Sequence, residues 1–456
     1  MKKLIFSAAV IAASCYTYSA MAACPATGNA TLNSAITNIG LKPWIGGATY
    51  QVCQLPTSIT INAAATLQND VTVGVGPGAV TYPVLWTLPG IVTVGDGYAQ
   101  NTAYASADHT ELTIEAGVHV VASASNAALV IARGAKLNAQ GTVNDPIVFS
   151  SLDDTSFTGT GEDFTGEGEW GGVILSGYGV ANECTSSDSC LMEGISSNYY
   201  FGFGDEPVDE DTTGLTAEEI LALKVEQQGN AKYSSGSLSY VVITEGGTEI
   251  NVNDPDAVAN GGDEINGLTL YGVTSATTIN NIHVNENYDD GIEFFGGDVA
   301  VSDIWLTCNG DDSVDWDYGF HGSITRVYIE QGDKNGAEDH AFELAGNPNN
   351  YAATPLATAS VEGAYVEFKG DNADADTDFL FNLKEGTDGY FNNIVVTGYT
   401  TGTTQDCDTI SSTNITSADF GAMTVDCSVV DPTTFSPSGS SSFAKVASFW
   451  TAPACN

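Results

Sequence analysis

Positive charge is what this chain lacks most: 12 lysines and arginines stand against 57 acidic residues, for a formal net charge of −45. A surface so negative repels nucleic acid, anionic membranes and acidic polysaccharides unless divalent cations bridge the contact. Proline is scarce (14 of 456 residues) and charged residues make up only 15%, while glycine numbers 50. That combination points to strands joined by tight turns rather than to disorder. Long apolar runs are missing too. Beyond residue 23 nothing approaches the roughly 18 to 20 apolar residues of a membrane-spanning helix. The one short apolar run, in MKKLIFSAAVIAASCYTYSAMAA at 1–23, follows two lysines and ends in the small-x-small site Ala20-Met21-Ala22. It reads as a secretory signal peptide, which predicts an extracellular or outer-surface location.

Nine cysteines are present, and Cys15 leaves with the signal. The remaining eight form an even set, as expected of a disulfide framework in an exported protein. Sequence proximity suggests Cys24–Cys53, Cys184–Cys190 and Cys407–Cys427, leaving Cys308 and Cys455 to tie the C-terminal tail to the body. Met21-Ala22-Ala23-Cys24 loosely matches a lipobox, but lipidation of Cys24 would strand one partner.

Two columns of apolar residues recur along the chain. One has the spacing apolar-x-x-apolar-x-apolar: Leu238, Val241, Ile243; Ile279, Ile282, Val284; Val301, Ile304, Leu306; Ile324, Val327, Ile329; Val361, Ala364, Val366; and Phe391, Ile394, Val396. The other is a pair that precedes each of the last five triplets: Leu268 and Leu270, Ile292 and Phe294, Val314 and Trp316, Phe342 and Leu344, Phe379 and Phe381. Each unit holds short period-2 strands too small to bury a face alone, so stacking is required. This predicts an all-β fold, a right-handed parallel β-helix. The domain plan is a cap at 24–56, a solenoid at 57–400 and a disulfide-held C-terminal cap at 401–456. An insertion at 178–236 interrupts the solenoid. Within it, LTAEEILALKVEQQ predicts a helix with Thr216 as N-cap and Glu219 closing a capping box. A β-sandwich would not require two interleaved columns with a near-constant step.

The columns also align aspartates. Asp289-Asp290 and Asp311-Asp312 lie one 22-residue unit apart, so the pairs stack on adjacent rungs about 4.8 Å apart. Like charges that close raise one pKa unless a cation compensates, and no Lys or Arg lies between 288 and 325. Calcium, which takes six to eight oxygen ligands, is the expected cofactor at Asp289, Asp290, Asp311 and Asp312. The run DNADADTD extends the candidate metal ligands to Asp371, Asp374, Asp376 and Asp378. A third run holds Asp205, Glu206, Asp209, Glu210 and Asp211. The structural alternative is that turn aspartates bond their own backbone. Histidines number five, without HxH or HExxH spacing. His321 follows Asp315 and Asp317, and His340 sits beside Asp339, but lone turn histidines are the simpler account.

The elements Asn287-Tyr288-Asp289, Gly310-Asp311-Asp312 and His321-Gly322 resemble in part the motif set of pectinase-type glycoside hydrolases. Acidic pairs on neighbouring rungs are able to supply an acid and a base. A downstream basic element is missing, and Arg326 stands alone. A lyase fits less well, since its base is typically Lys or Arg and its substrate acidic. Tyr288, Trp305, Trp316, Tyr318 and Tyr328 are candidates for stacking on sugar rings, although several fall on inward rows.

EINGLTLYGV at 264–273, DDGIEFFGG at 289–297, DDSVDWDYGFHG at 311–322 and LKEGTDGYFNNIVV at 383–396 closely resemble a family of exported bacterial β-helix proteins. So do LTIEAGVHV, LVIARGAKLNAQGTVNDPIVFSS and EWGGVILSG nearer the N-terminus. The resemblance implies a surface or secreted right-handed β-helix, with some members lipid-anchored, and it carries over no catalytic residues. Two functions follow as expectations. The first is a calcium-stiffened, non-catalytic module that adheres to glycans, extracellular matrix components or another partner. The second is a polysaccharide-active glycoside hydrolase using Asp289, Asp290, Asp311 and Asp312.

Overall fold

The computed structural model describes residues 23–44, 47–152, 167–184, 189–195, 198–250, 265–331, 340–368, 380–397, 410–413, 417–421, 423–425 and 439–452. The chain coils into a right-handed parallel β-helix. One face is a ten-stranded parallel sheet running from Ser58–Ile59 to Ile410–Thr413. Its central strands are Leu268–Tyr271, Ile292–Phe295, Val314–Asp317, Phe342–Leu344 and Phe381–Lys384, each paired with the next.

The remaining strands wrap the other side. In early turns two separate strands, such as Lys136–Gln140 and Ile147–Ser151, make this side. Both pair with the single strand Gly236–Thr244, so from there to Asp388–Thr397 one strand bends around a corner. The bend falls at Tyr240, Asn281, Asp303, Arg326, Gly363 and Asn393, which lie in one column and all have positive φ. Asn and Asp tolerate that region better than most residues, and glycine adopts it freely.

Both apolar columns point inward and pack into one continuous core. Ile279 pairs with Val301 and Ile292 with Val314, so a 22-residue step is one full turn. The last expected pair needs a correction. Phe381 pairs with Phe342 and Leu383 with Leu344, so the inward residues are Phe381 and Leu383. Phe379 lies outside the described residues. Period-2 alternation admits either reading, and register with the previous strand decides.

At the N-terminal end the antiparallel pair Thr37–Pro43 and Thr49–Gln54 closes the coil, and Thr49–Gln54 joins the stack in parallel with Val80–Leu88. Cys24–Cys53 and Cys184–Cys190 are disulfides. Cys308 is also disulfide-bonded, whereas Cys407, Cys427 and Cys455 fall outside the described residues. Disulfides persist in oxidising compartments, which makes this an extracytoplasmic protein. Among the described residues no helix is long and apolar enough to cross a membrane.

The insertion carries the helix Ala217–Gln228, with both halves of the Thr216/Glu219 capping box formed. Its last residue, Gln228, accepts from the Val180 N–H at 2.8 Å and meets His321 Nε2 at 2.7 Å. Arg133, fully buried, donates to the carbonyls of Gly97, Ala99 and Gly202 and so pins the insertion to the coil. The C-terminal stretch 439–452 lies over the bent strands. There Phe443 stacks on Tyr328, and Trp305 donates from Nε1 to the Val446 carbonyl.

Candidate active site

Alternation on the ten-stranded face sends every second residue outward. Thr269, Glu293, Asp315, Glu343 and Asn382 form one outward row; Tyr271, Phe295 and Asp317 form the next. Lys384, also outward, places its Nζ 2.6 Å from Glu343. In the turn that feeds these strands, Asp290, Asp312 and His340 stack. Asp290 Oδ1 accepts the Asp312 N–H at 3.0 Å. Asp312 Oδ1 in turn accepts the His340 backbone N–H at 2.7 Å and meets its Nδ1 at 2.8 Å.

Three triads result, in each of which one ligand atom per residue lies within 4.8 Å of the others: Asp289, Asp290 and Asp311; Asp290, Glu293 and Asp315; and Asp312, His340 and Glu343. The aspartate pairs thus stack one turn apart, but their members differ. Asp290 and Asp312 are buried and clamp backbone, whereas Asp289 is half-buried and Asp311 exposed. Asp371, Asp374, Asp376 and Asp378 lie outside the described residues. In the third acidic run Glu206 is buried and serves the insertion, accepting from the Tyr233 hydroxyl at 2.6 Å and from Lys232 at 3.2 Å.

Burial, and then neighbouring carboxylates, push Asp290, Glu293 and Asp315 well above the usual carboxylate range. Burial likewise raises Asp317, against the Tyr318 N–H that it accepts at 2.8 Å. Burial opposes the charge of Lys384, but Glu343, Asp315 and Asp317 outweigh it and raise its pKa.

His321 stands apart from these groups, holding Gln228 and the Gly319 carbonyl. Of the aromatic candidates, Trp316 is core, and Trp305 and Tyr328 sit on the opposite side under the C-terminal stretch. Tyr288 is 54% exposed beside Asp289. Sequence reasoning missed Glu293, Glu343, Asn266 and Lys384 and did not weigh Asp315 and Asp317 as acid or base. For Glu293, Asp315 and Glu343 the signal was there, in the residue between the two members of an apolar pair.

Four raised carboxylates give a stability prediction. Between the ordinary carboxylate pKa near 4 and the raised folded values, the native state binds more protons than the unfolded chain. Stability therefore falls as pH rises through that window. In EDTA, the melting temperature is expected to be higher at pH 5 than at pH 8. Asp315→Asn together with Glu293→Gln should flatten the slope, and an unchanged slope would count against these groups as its source.

No curated protein sequence matches the chain. Among solved structures it is similar to the enzymatically active domain of tailspike protein 2 of bacteriophage CBA120, at 11% identity and a TM-score of 0.29, over 84% of this chain and 54% of that one. The chain thus spans about half the length of that tailspike domain. It is also similar to the periplasmic alginate epimerase AlgG, at 11% identity and a TM-score of 0.18, over 82% of this chain and 84% of the epimerase. The model of a pectate-lyase like beta helix domain matches residues 91–216 and 203–450, which take in the coil, its insertion and the whole carboxylate ladder. The chain belongs to that pectate-lyase like β-helix family.

Proposed function

We propose that this protein is a polysaccharide-active glycoside hydrolase that works with inversion, with Asp317 as general acid and Glu343 as general base. The observation that carries the reading is their placement. They project from adjacent strands on the same face, offset by two residues along the strand. Strand geometry puts their backbones about 8 Å apart, from roughly 6.7 Å of rise and 4.8 Å between strands. Side chains stand roughly perpendicular to a sheet, so two carboxyls on one face keep about the spacing of their backbones. Inverting enzymes need about 6.5 to 9.5 Å between carboxyl groups, room for a water. Asp317, raised by burial, keeps a proton to give to the glycosidic oxygen. Glu343, 20% exposed and facing the Lys384 ammonium, takes a proton from the attacking water.

Sequence alone ranks a non-catalytic rod first, because the acidic ladders and the long insertion favour it and only analogy of fold favours a hydrolase. The strand carboxylates become a set once the coil brings them together, and they move the weight to catalysis. Three of the described cations are poorly placed to act as a lyase base. Lys384 is ion-paired and raised, Arg326 is paired with Asp303 on the opposite side, and Arg133 is buried among carbonyls. Membership in a pectate-lyase like family also supports action on a polysaccharide, by a different bond-breaking step. The test is release of reducing ends from a panel of uncharged and amino polysaccharides, with the product anomer followed by NMR. Net inversion is expected, and no release from any member would sink the reading.

A second reading, compatible with the first, is a calcium ion at the rim. Asp289, Asp290 and Asp311 bring hard oxygen donors to within 4.8 Å of one another, which fits calcium. Calcium at 100 times its Kd should add about 2.7 kcal/mol of stability. Thermal unfolding in EDTA and in millimolar calcium measures this, and Asp289→Asn with Asp311→Asn should abolish the difference.

A further inference from the structure

We infer that the subsite built by Asp290, Glu293, Asp315 and Asn266 receives the protonated amine of an amino sugar, so that the substrate is a glycan bearing free amino groups. The inference rests on the hydrolase reading and names the substrate class for it.

The subsite is rich in acceptors, and its amide donor, Asn266 Nδ2, already serves Glu293. Asn266, 3% exposed, donates through Nδ2 to Glu293, and its Oδ1 is buried with no hydrogen-bond partner among the described residues. Thr269, fully buried one strand before Glu293 in the same outward row, has an unpartnered hydroxyl. Asp315 Oδ1 is likewise buried and unpartnered. Leaving buried polar atoms unpaired is unfavourable, and two of these three, the amide oxygen of Asn266 and the carboxylate oxygen of Asp315, only accept, which points to a ligand that donates. An ammonium supplies three donors and no acceptor. One carboxylate oxygen each from Asp290, Glu293 and Asp315 lie within 4.8 Å of one another. A triangle with sides at that limit puts its centre about 2.8 Å from each corner, the length of a charge-assisted N–H···O bond.

The same row already contains this pairing. Where Glu343 continues the ladder, the chain supplies its own ammonium, Lys384, at 2.6 Å. No lysine or arginine lies between residues 288 and 325, so Glu293 and Asp315 have no such partner on their own turns. A net charge of −45 would also draw a polycationic chain toward this face and turn a uronate away.

The experiment is calorimetric titration of the full exported chain, in EDTA, with glucosamine oligomers, their N-acetylated counterparts and galacturonate oligomers, beside the hydrolysis assay. Glucosamine oligomers are expected to bind at least tenfold more tightly than either of the others. That preference should shrink with salt, and as the pH rises past the pKa of the sugar amine. Glu293→Gln and Asp315→Asn should each weaken it tenfold or more. Equal affinity for the N-acetylated oligomers would overturn the inference on the wild type alone, whether or not a variant folds. Tight calcium binding that Glu293→Gln removes, with no affinity for glucosamine oligomers, would overturn it in favour of a metal site. If uncharged polysaccharides are cleaved and glucosamine oligomers are not bound, the inference fails and the hydrolase stands. If glucosamine oligomers bind and nothing is cleaved, the hydrolase fails and the amine site stands.

Discussion

Asp317→Asn is expected to lower kcat by about 10²- to 10⁴-fold, the usual worth of a positioned general acid or base. Glu343→Gln should cost a similar factor, and the two pH profiles should differ. Loss of the acid removes the alkaline limb of the rate profile, and loss of the base removes the acidic one. Substrate affinity should change far less than turnover, because both groups act on the bond being broken. Asp317→Asn carries a second signature, independent of turnover. The substitution removes a carboxyl whose pKa burial has raised, so the protein should become more stable at pH 8, not less. Activity within twofold of the wild type in both variants would sink the acid and base assignment.

Trp316→Ala should destabilise the fold by about 3 to 5 kcal/mol, as removal of a large buried aromatic does. Trp316 is fully buried on the strand that presents Asp315 and Asp317. It stacks on Phe391 at 5.9 Å with planes 6° apart and tilts against Phe320. Its Nε1 donates to the buried Thr387 hydroxyl at 3.0 Å, and truncation leaves that oxygen without its donor. Trp316→Phe should keep much of the packing and lose the hydrogen bond, placing it between wild type and alanine. Urea unfolding followed by circular dichroism measures both. A loss under 1 kcal/mol for alanine would mean that the core of this turn is not what the stacking implies.

The coil was legible because burial writes a periodic signal. Ile279, Val301 and Ile324 must all face the same core, and any slip of one residue would expose them. The site was legible only in part. Asp290 and Asp312 announce themselves as adjacent pairs, yet the structure uses them to clamp the backbone of the next turn. Glu293, Asp315 and Glu343 are single acidic letters between apolar neighbours, at separations of 22 and 28 residues. Nothing in the local sequence ties them together, since the second gap breaks the 22-residue step. Lys384 arrives two strands later still, and Asn266 comes from the strand before. Only the lateral pairing of strands, which no single stretch encodes, converts these scattered positions into one polar surface.

The corner column gives the coil a route to growth. The turns from Tyr240 to Asn393 bend at equivalent left-handed residues, so a tandem copy of residues 279–300 would enter with its own corner at Asn281 and its own strand Ile292–Phe295. Such a duplication lengthens the rod by about 4.8 Å and adds one more outward glutamate without disturbing the turns on either side. On the hydrolase reading, the length of glycan gripped becomes a matter of copy number, open to adjustment by unequal crossing-over rather than by redesign of individual residues.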